Sequence, residues 1–181
     1  MSDREPTNSL HHFRVAQALE DTFKRIEVPS YETNEELNPN EKVACAHALY
    51  HWTESNDLQN ASNWLLDFKH LYRLVCQTKL DGDYSRLIID ADKLYSKLLA
   101  SPELKKEEQK ARTVLSALRF AEKALMHDPR ELAGQILGRI DRDDEDFKEL
   151  LKDCNEWINS ARTDGSNFLF FFLQSRRSQK F

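Results

Sequence analysis

Glycine is scarce in this sequence, with four residues in 181 against a usual frequency of about 7%. A chain so poor in glycine has little material for tight hairpins or for loops that cradle phosphate. Neither a Gly-x-x-x-x-Gly-Lys-Ser/Thr run nor a Gly-x-Gly-x-x-Gly run occurs, and Gly-x-Ser-x-Gly is absent as well. The three cysteines, Cys45, Cys76 and Cys154, are odd in number and far apart, which excludes a disulfide framework and a Cys-x-x-Cys zinc pattern. No apolar run approaches the roughly 18 residues of a membrane span, and the polar start Met1-Ser2-Asp3-Arg4-Glu5-Pro6 is unlike a signal peptide. A soluble protein of the reducing cytoplasm is expected, with no membrane partner. Positive charge is also in deficit: 26 Lys+Arg against 31 Asp+Glu leave a net charge of -5, and the one small basic cluster is Arg176, Arg177 and Lys180. No nucleic-acid partner is expected.

What the chain has is helical periodicity. Apolar residues make up 40% and charged residues 31%, enough for a packed core. Leu10, Phe13, Ala16, Leu19, Phe23 and Ile26 share one stripe of a first helix that Val28-Pro29 ends. Residues 29–40 have no apolar period and form an acidic loop. Asn40 is expected to cap a helix carrying Val43, Ala46, Leu49 and Tyr50. From Leu58 a stripe of Ala61, Leu65, Phe68, Tyr72 and Val75 marks a helix or a bent pair. Asp81-Gly82-Asp83 is a turn into Tyr84, Leu87, Ala91, Leu94 and Leu98, with Asp83 as cap. Ser101-Pro102-Glu103 and Asp128-Pro129-Arg130-Glu131 each look like a helix start, the second with Glu131 as capping-box partner. Asp143 or Asp144 begins the last helix, which carries Phe147, Leu151, Cys154 and Trp157, and Asp164-Gly165 stops it. The expected fold is all-α: about seven antiparallel helices in a bundle or a short α-solenoid. Three parts are drawn: residues 1–40, a helix and acidic loop; 41–165, the main helical domain; and 166–181, an apolar and basic tail.

Candidate chemistry is thin. His47 and His51 stand at i and i+4 near Cys45, but residue 48 is Ala where a zinc protease needs Glu, so partly buried histidines on a helix are expected instead of a metal site. The acidic run 141–146 has Asp146 and Lys152 where a calcium loop needs Gly and Glu, and is read as a solvated helix N-terminus. No cofactor, metal or catalytic constellation is expected. Gly134 and Gly138, four apart on a helix, are expected to make a close helix-helix contact. Phe168, Leu169, Phe170, Phe171, Phe172 and Leu173 form an apolar run that is either a terminal core segment or a surface for self-association or a protein partner.

Two stretches carry a resemblance. The first runs from His47-Ala48-Leu49-Tyr50-His51-Trp52 through Asn63-Trp64-Leu65-Leu66-Asp67-Phe68-Lys69-His70-Leu71 to Tyr84–Asp92. The second is Leu118 to Ile140, with His127-Asp128-Pro129 and Leu132-Ala133-Gly134-Gln135-Ile136-Leu137-Gly138-Arg139. Together they resemble the helical arm that follows the nucleotide-binding core of signalling NTPases related to apoptotic protease-activating factor. The resemblance implies a non-catalytic helical scaffold or adaptor that mediates protein-protein contacts in a cytosolic signalling assembly. With no P-loop ahead of the arm and no propeller strands after it, the NTPase activity is not carried over. The chain is then either a fragment or truncated relative of such a protein or a stand-alone adaptor. The alternatives are an all-helical enzyme without a recognisable motif and a tetratricopeptide-like peptide-binding module, whose 34-residue period does not return, since Pro129 shifts onto Tyr95 and Pro102 onto Phe68.

Overall fold

The computed structural model describes residues 5–24 and 38–163; the 168–173 run and the Asp164-Gly165 stop lie outside them. Among the described residues the fold is all-α, with eight helices and no strand. No helix of the described residues is long and apolar enough to cross a membrane. In chain order they are α1 (Glu5–Phe23), α2 (Pro39–Glu54), α3 (Leu58–Leu66), α4 (Phe68–Asp81), α5 (Tyr84–Leu99), α6 (Lys105–His127), α7 (Leu132–Leu137) and α8 (Lys148–Thr163). Helix α1 packs on α2, α5 on α6 and α7 on α8, while α3 and α4 touch α2, α5 and α6 between them. One contiguous core runs from Ala16 to Ile158.

The helix ends follow from side-chain chemistry, in places one or two residues from the expected cap. Helix α2 is capped by Asn38, not Asn40. The Asn38 carboxamide oxygen accepts the backbone N–H of Asn40 and Glu41, and Glu41 Oε2 accepts the Asn38 N–H at 2.8 Å, a full capping box. Pro39, which has no N–H to satisfy, takes the first helical position and fixes this frame. The buried face of α2 is also rotated from the expected stripe. Val43 is exposed, and Ala44, Cys45, Ala48, Leu49 and Trp52 are buried. The small residues let α1 approach one side of α2 while α4 and α5 occupy the other.

The long apolar segment from Leu58 is a bent pair. Asp67 closes α3, where its N–H donates to Trp64 O at 3.3 Å, and caps α4, where its carboxylate accepts the His70 N–H at 3.0 Å. Gly82 ends α4 in the left-handed conformation (φ 68°), with its own N–H donating to Lys79 O and Thr78 O and the Asp83 N–H donating to Thr78 O. Three expected cap bonds are absent among the described residues. Asp83 accepts the Ser85 hydroxyl in place of a backbone N–H. Ser101 Oγ donates back to Lys97 O at 3.1 Å. Asp128 does cap, through the Arg130 N–H, but Glu131 Oε2 turns to Gln135, so no capping box closes.

The centre of the molecule is leucine and alanine on facing helices. Leu87, Ala91, Leu94 and Leu98 of α5 and Ala111, Val114, Leu115, Leu118 and Ala121 of α6 are all buried in one core, and the Tyr84 hydroxyl donates to Leu118 O at 3.0 Å. Leu132, Ala133 and Ile136 of α7 join Leu150, Leu151, Cys154 and Ile158 of α8 in the same core.

Candidate functional site

Helix α1 runs antiparallel to α2, since Ser9 Oγ donates to Ser55 O at 2.6 Å and His12 meets His51 three residues further along. Its C-terminal half then reaches the α3–α4 junction. There it leaves a polar cleft of about 530 Å³, lined by Gln17, Glu20, Asp21 and Lys24 of α1, Trp52 of α2, Asn60, Asn63 and Trp64 of α3, and Asp67 and His70 at the junction.

The wall of this cleft is an aromatic stack. The His70 ring lies on Trp64 with centroids 4.9 Å apart and 3° between planes, and Phe23 meets His70 edge-on at 4.2 Å. The sequence forces this: Trp64 is the last full turn of α3, Asp67 breaks the helix, and His70 is the residue whose N–H the Asp67 carboxylate takes. His70 stands between two carboxylates, with Nε2 3.5 Å from Glu20 Oε1 and Nδ1 3.6 Å from Asp67 Oδ1. The Asp67 contact is longer than a hydrogen bond, so among the described residues His70 Nδ1 is buried without a hydrogen-bond partner, as is the Trp64 indole Nε1. Burial holds the His70 imidazole below the ordinary histidine range, against the upward pull of Asp67 and then Glu20.

Chemically the cleft offers three carboxylates against one ammonium, three carboxamides and two indoles. Among the described residues the lining has no hydroxyl and no thiol. The cysteines lie elsewhere, and burial keeps all three as thiols: Cys45 is pushed up to about 12, and Cys76 and Cys154 are raised too. What the arrangement can do is hold a polar, preferably cationic, group against aromatic walls.

The other singled-out residues fall as follows. His47 and His51 do not converge. The Arg86 guanidinium donates to His47 Nδ1 at 2.7 Å, whereas His51 Nδ1 shares a hydrogen bond with His12 Nδ1 at 2.8 Å, one ring donating and the other accepting. Cys45 is buried, and among the described residues no group of three or more His, Cys, Asp or Glu is placed to hold a metal. In the acidic run, Asp141 and Asp144 accept backbone N–H groups of Asp143 and Asp146, and Asp146 pairs with Lys106 of α6. Gly134 is half-buried in α7. Gly138 is exposed at the α7 C-terminus, and among the described residues a Cβ there would meet only Gly134 O at 3.2 Å and Gln135 O at 4.0 Å. Its close contact is thus with its own turn and not with a second helix. The apolar run of Phe168, Leu169, Phe170, Phe171, Phe172 and Leu173 lies outside the described residues.

Sequence reasoning missed Glu20, Asp67 and His70 as a group. The one local signal was His70 standing among the apolar residues Phe68, Leu71 and Tyr72, three positions after an acid able to cap. Comparison of the chain with protein-family models, with curated proteins and with solved structures returned no match.

Proposed function

We propose that this chain is a non-catalytic helical scaffold that joins protein partners in a cytosolic signalling assembly, and that its cleft takes a basic side chain of one such partner. The observation that carries this reading is the His70–Trp64 stack flanked by Glu20 and Asp67, in a cleft whose charge is negative. An arginine guanidinium suits it: the planar group stacks on indole and donates to carboxylates and carboxamide oxygens at once. The similarity of residues 47–92 and 118–140 to the helical arm of apoptotic-factor-like NTPases supports the same role, since that arm carries no chemistry of its own.

The test is a titration of the full chain with N-acetyl-arginine amide and, separately, N-acetyl-norleucine amide, following tryptophan fluorescence. The arginine compound is expected to change the emission saturably, the norleucine compound is not, and Glu20→Gln with Asp67→Asn is expected to weaken the response about tenfold or more. An equal response to both compounds, or none to the arginine compound, overturns the reading.

A further inference from the structure

The net charge of the cleft resides in two side chains. Besides His70 its lining holds Glu20, Asp21, Lys24 and Asp67, and of these Asp21 and Lys24 pair with each other at 3.9 Å on the exposed side of α1. What remains is Glu20 and Asp67. These are the two carboxylates that flank His70, with Glu20 Oε1 3.5 Å from Nε2 and Asp67 Oδ1 3.6 Å from Nδ1. Both also open onto the cleft, the Glu20 side chain 18% exposed and that of Asp67 41%. The imidazole between them is 12% exposed, with Trp64 on its face and Phe23 against it edge-on. The negative charge that draws a cation into the cleft is therefore the same charge that a protonated His70 faces.

The state of His70 decides how much of that charge is free. A neutral ring leaves Glu20 and Asp67 with their full charge for an incoming cation. A protonated ring sets a positive charge against both and repels a guanidinium in the same space. Charged neighbours reach this ring from several elements: Glu20, Asp21 and Lys24 from α1, Asp67 from the α3–α4 junction, and Asp153 from α8, which faces Asp67. The cleft residues of α2 and α3, Trp52, Asn60, Asn63 and Trp64, bring no charge. Burial holds the titration of the ring below the ordinary 6.5, against Asp67 and Glu20 and with the help of Lys24.

Resting on the reading of the cleft as a guanidinium site, we infer that a proton on His70 and the partner's arginine exclude one another, so that His70 gates the cleft: a basic segment docks while the imidazole is neutral and is released when it is protonated. Linkage makes the coupling reciprocal. A bound guanidinium disfavours the protonated ring by the same factor by which the proton weakens the guanidinium. Arginine affinity is thus complete above 6.5 and falls as pH drops below it. At full exclusion the fall is about tenfold per pH unit below the His70 midpoint.

The experiment follows N-acetyl-arginine amide binding to the full chain by tryptophan fluorescence from about pH 8 to about pH 5, and the His70 ring proton shifts by nuclear magnetic resonance with and without the compound. Wild type is expected to bind evenly above 6.5 and progressively more weakly below it, while the Ala16 amide of α1 keeps its docked chemical shift. The bound compound is expected to lower the His70 midpoint, and N-acetyl-norleucine amide to leave it unmoved. His70→Phe keeps an aromatic ring against Trp64 but has no proton to gain, and is expected to lose most of the pH dependence. Three results overturn the inference: a slope as steep in His70→Phe as in wild type, a His70 midpoint that the arginine compound leaves in place or raises, or an affinity that falls only where the Ala16 resonance leaves its docked position. The midpoint is read on wild type and decides even where His70→Phe does not fold. Absence of binding at the alkaline end overturns the reading of the cleft and this inference with it, whereas binding undiminished at the acid end overturns this inference alone.

Discussion

The α1–α2 seam and the α5–α6 seam belong to the same core but are held by different chemistry. Between α5 and α6, leucine and alanine carry the contact, with Leu94 fully buried and Leu87, Ala91, Leu98, Leu118 and Ala121 at 1% exposure or less. In α1 the described residues buried below that seam are only Ala16 and Phe23, while Leu10 is 51% exposed. Beside these, Phe13 and Leu19 pack half-buried on the core, and polar contacts add Ser9 on Ser55 O, the His12–His51 hydrogen bond and Glu20 beside His70. Apolar burial is indifferent to pH and acts over the whole transition. A hydrogen bond between two imidazoles is lost once both rings are protonated, because neither then offers an acceptor. The two seams therefore differ in what can undo them: the first yields to volume, the second to protons.

The comparison is tested most strongly at Leu94. Leu94→Ala leaves a hole in a fully buried site, and a loss of about 3 kcal/mol of global stability in urea unfolding is expected. A loss below about 1 kcal/mol would mean that the α5–α6 seam is not the rigid centre of the fold.

A smaller effect is expected at the junction. Asp67→Ala removes the side-chain cap of α4 and should cost about 1 kcal/mol. Because Asp67 also faces His70 Nδ1 at 3.6 Å, the same variant should lower the His70 titration midpoint further, read from its ring proton shifts. A midpoint that rises instead would contradict the placement of the carboxylate.

The finest test separates the seams by pH. His51 is lowered first by burial and then by His12, His47 and His11, with Glu54 pulling the other way; His70 is lowered by burial, with Asp67 and Glu20 opposing and Lys24 assisting. Both rings thus titrate below the ordinary 6.5 when α1 is docked, so the undocked state binds more protons. The stability that docking draws from them is complete above 6.5 and is lost as pH falls below it. Amide exchange corrected for intrinsic rates should show α1 losing protection at mildly acidic pH while α5 and α6 keep theirs. Parallel loss in both places would break the comparison.

The helices were legible because a core-facing helix writes its period into one continuous stretch. Leu87, Ala91, Leu94 and Leu98 are spaced by the helix itself, whatever else surrounds them. The rotation of α2 was not legible, because Val43 and Ala44 compete for the buried face and the choice falls to how closely α1 and α4 approach. The frame of its cap was a contest between Asn38 and Asn40 that Pro39 decides. The cleft was hidden for a different reason. Glu20, Asn60, Asn63 and Asp67 each look like ordinary surface residues, and only the packing of α1 across the α3–α4 junction turns them toward one space. The burial of Arg73 and Gln77 was hidden likewise, since an i, i+4 polar pair reads as a solvated face until the burial of α4 is seen.

Asp67 is the whole connection between two helices, a single residue that ends one and starts the next. Most interhelical links absorb insertions and deletions as extra loop. This one has no slack. One residue more in a helical frame turns everything after it by about 100° and advances it by about 1.5 Å, which would swing His70 off Trp64. Among related chains, length at this point should be held more tightly than residue identity at most core positions, and an alignment gap between Trp64 and His70 would mark a protein that has lost the cleft.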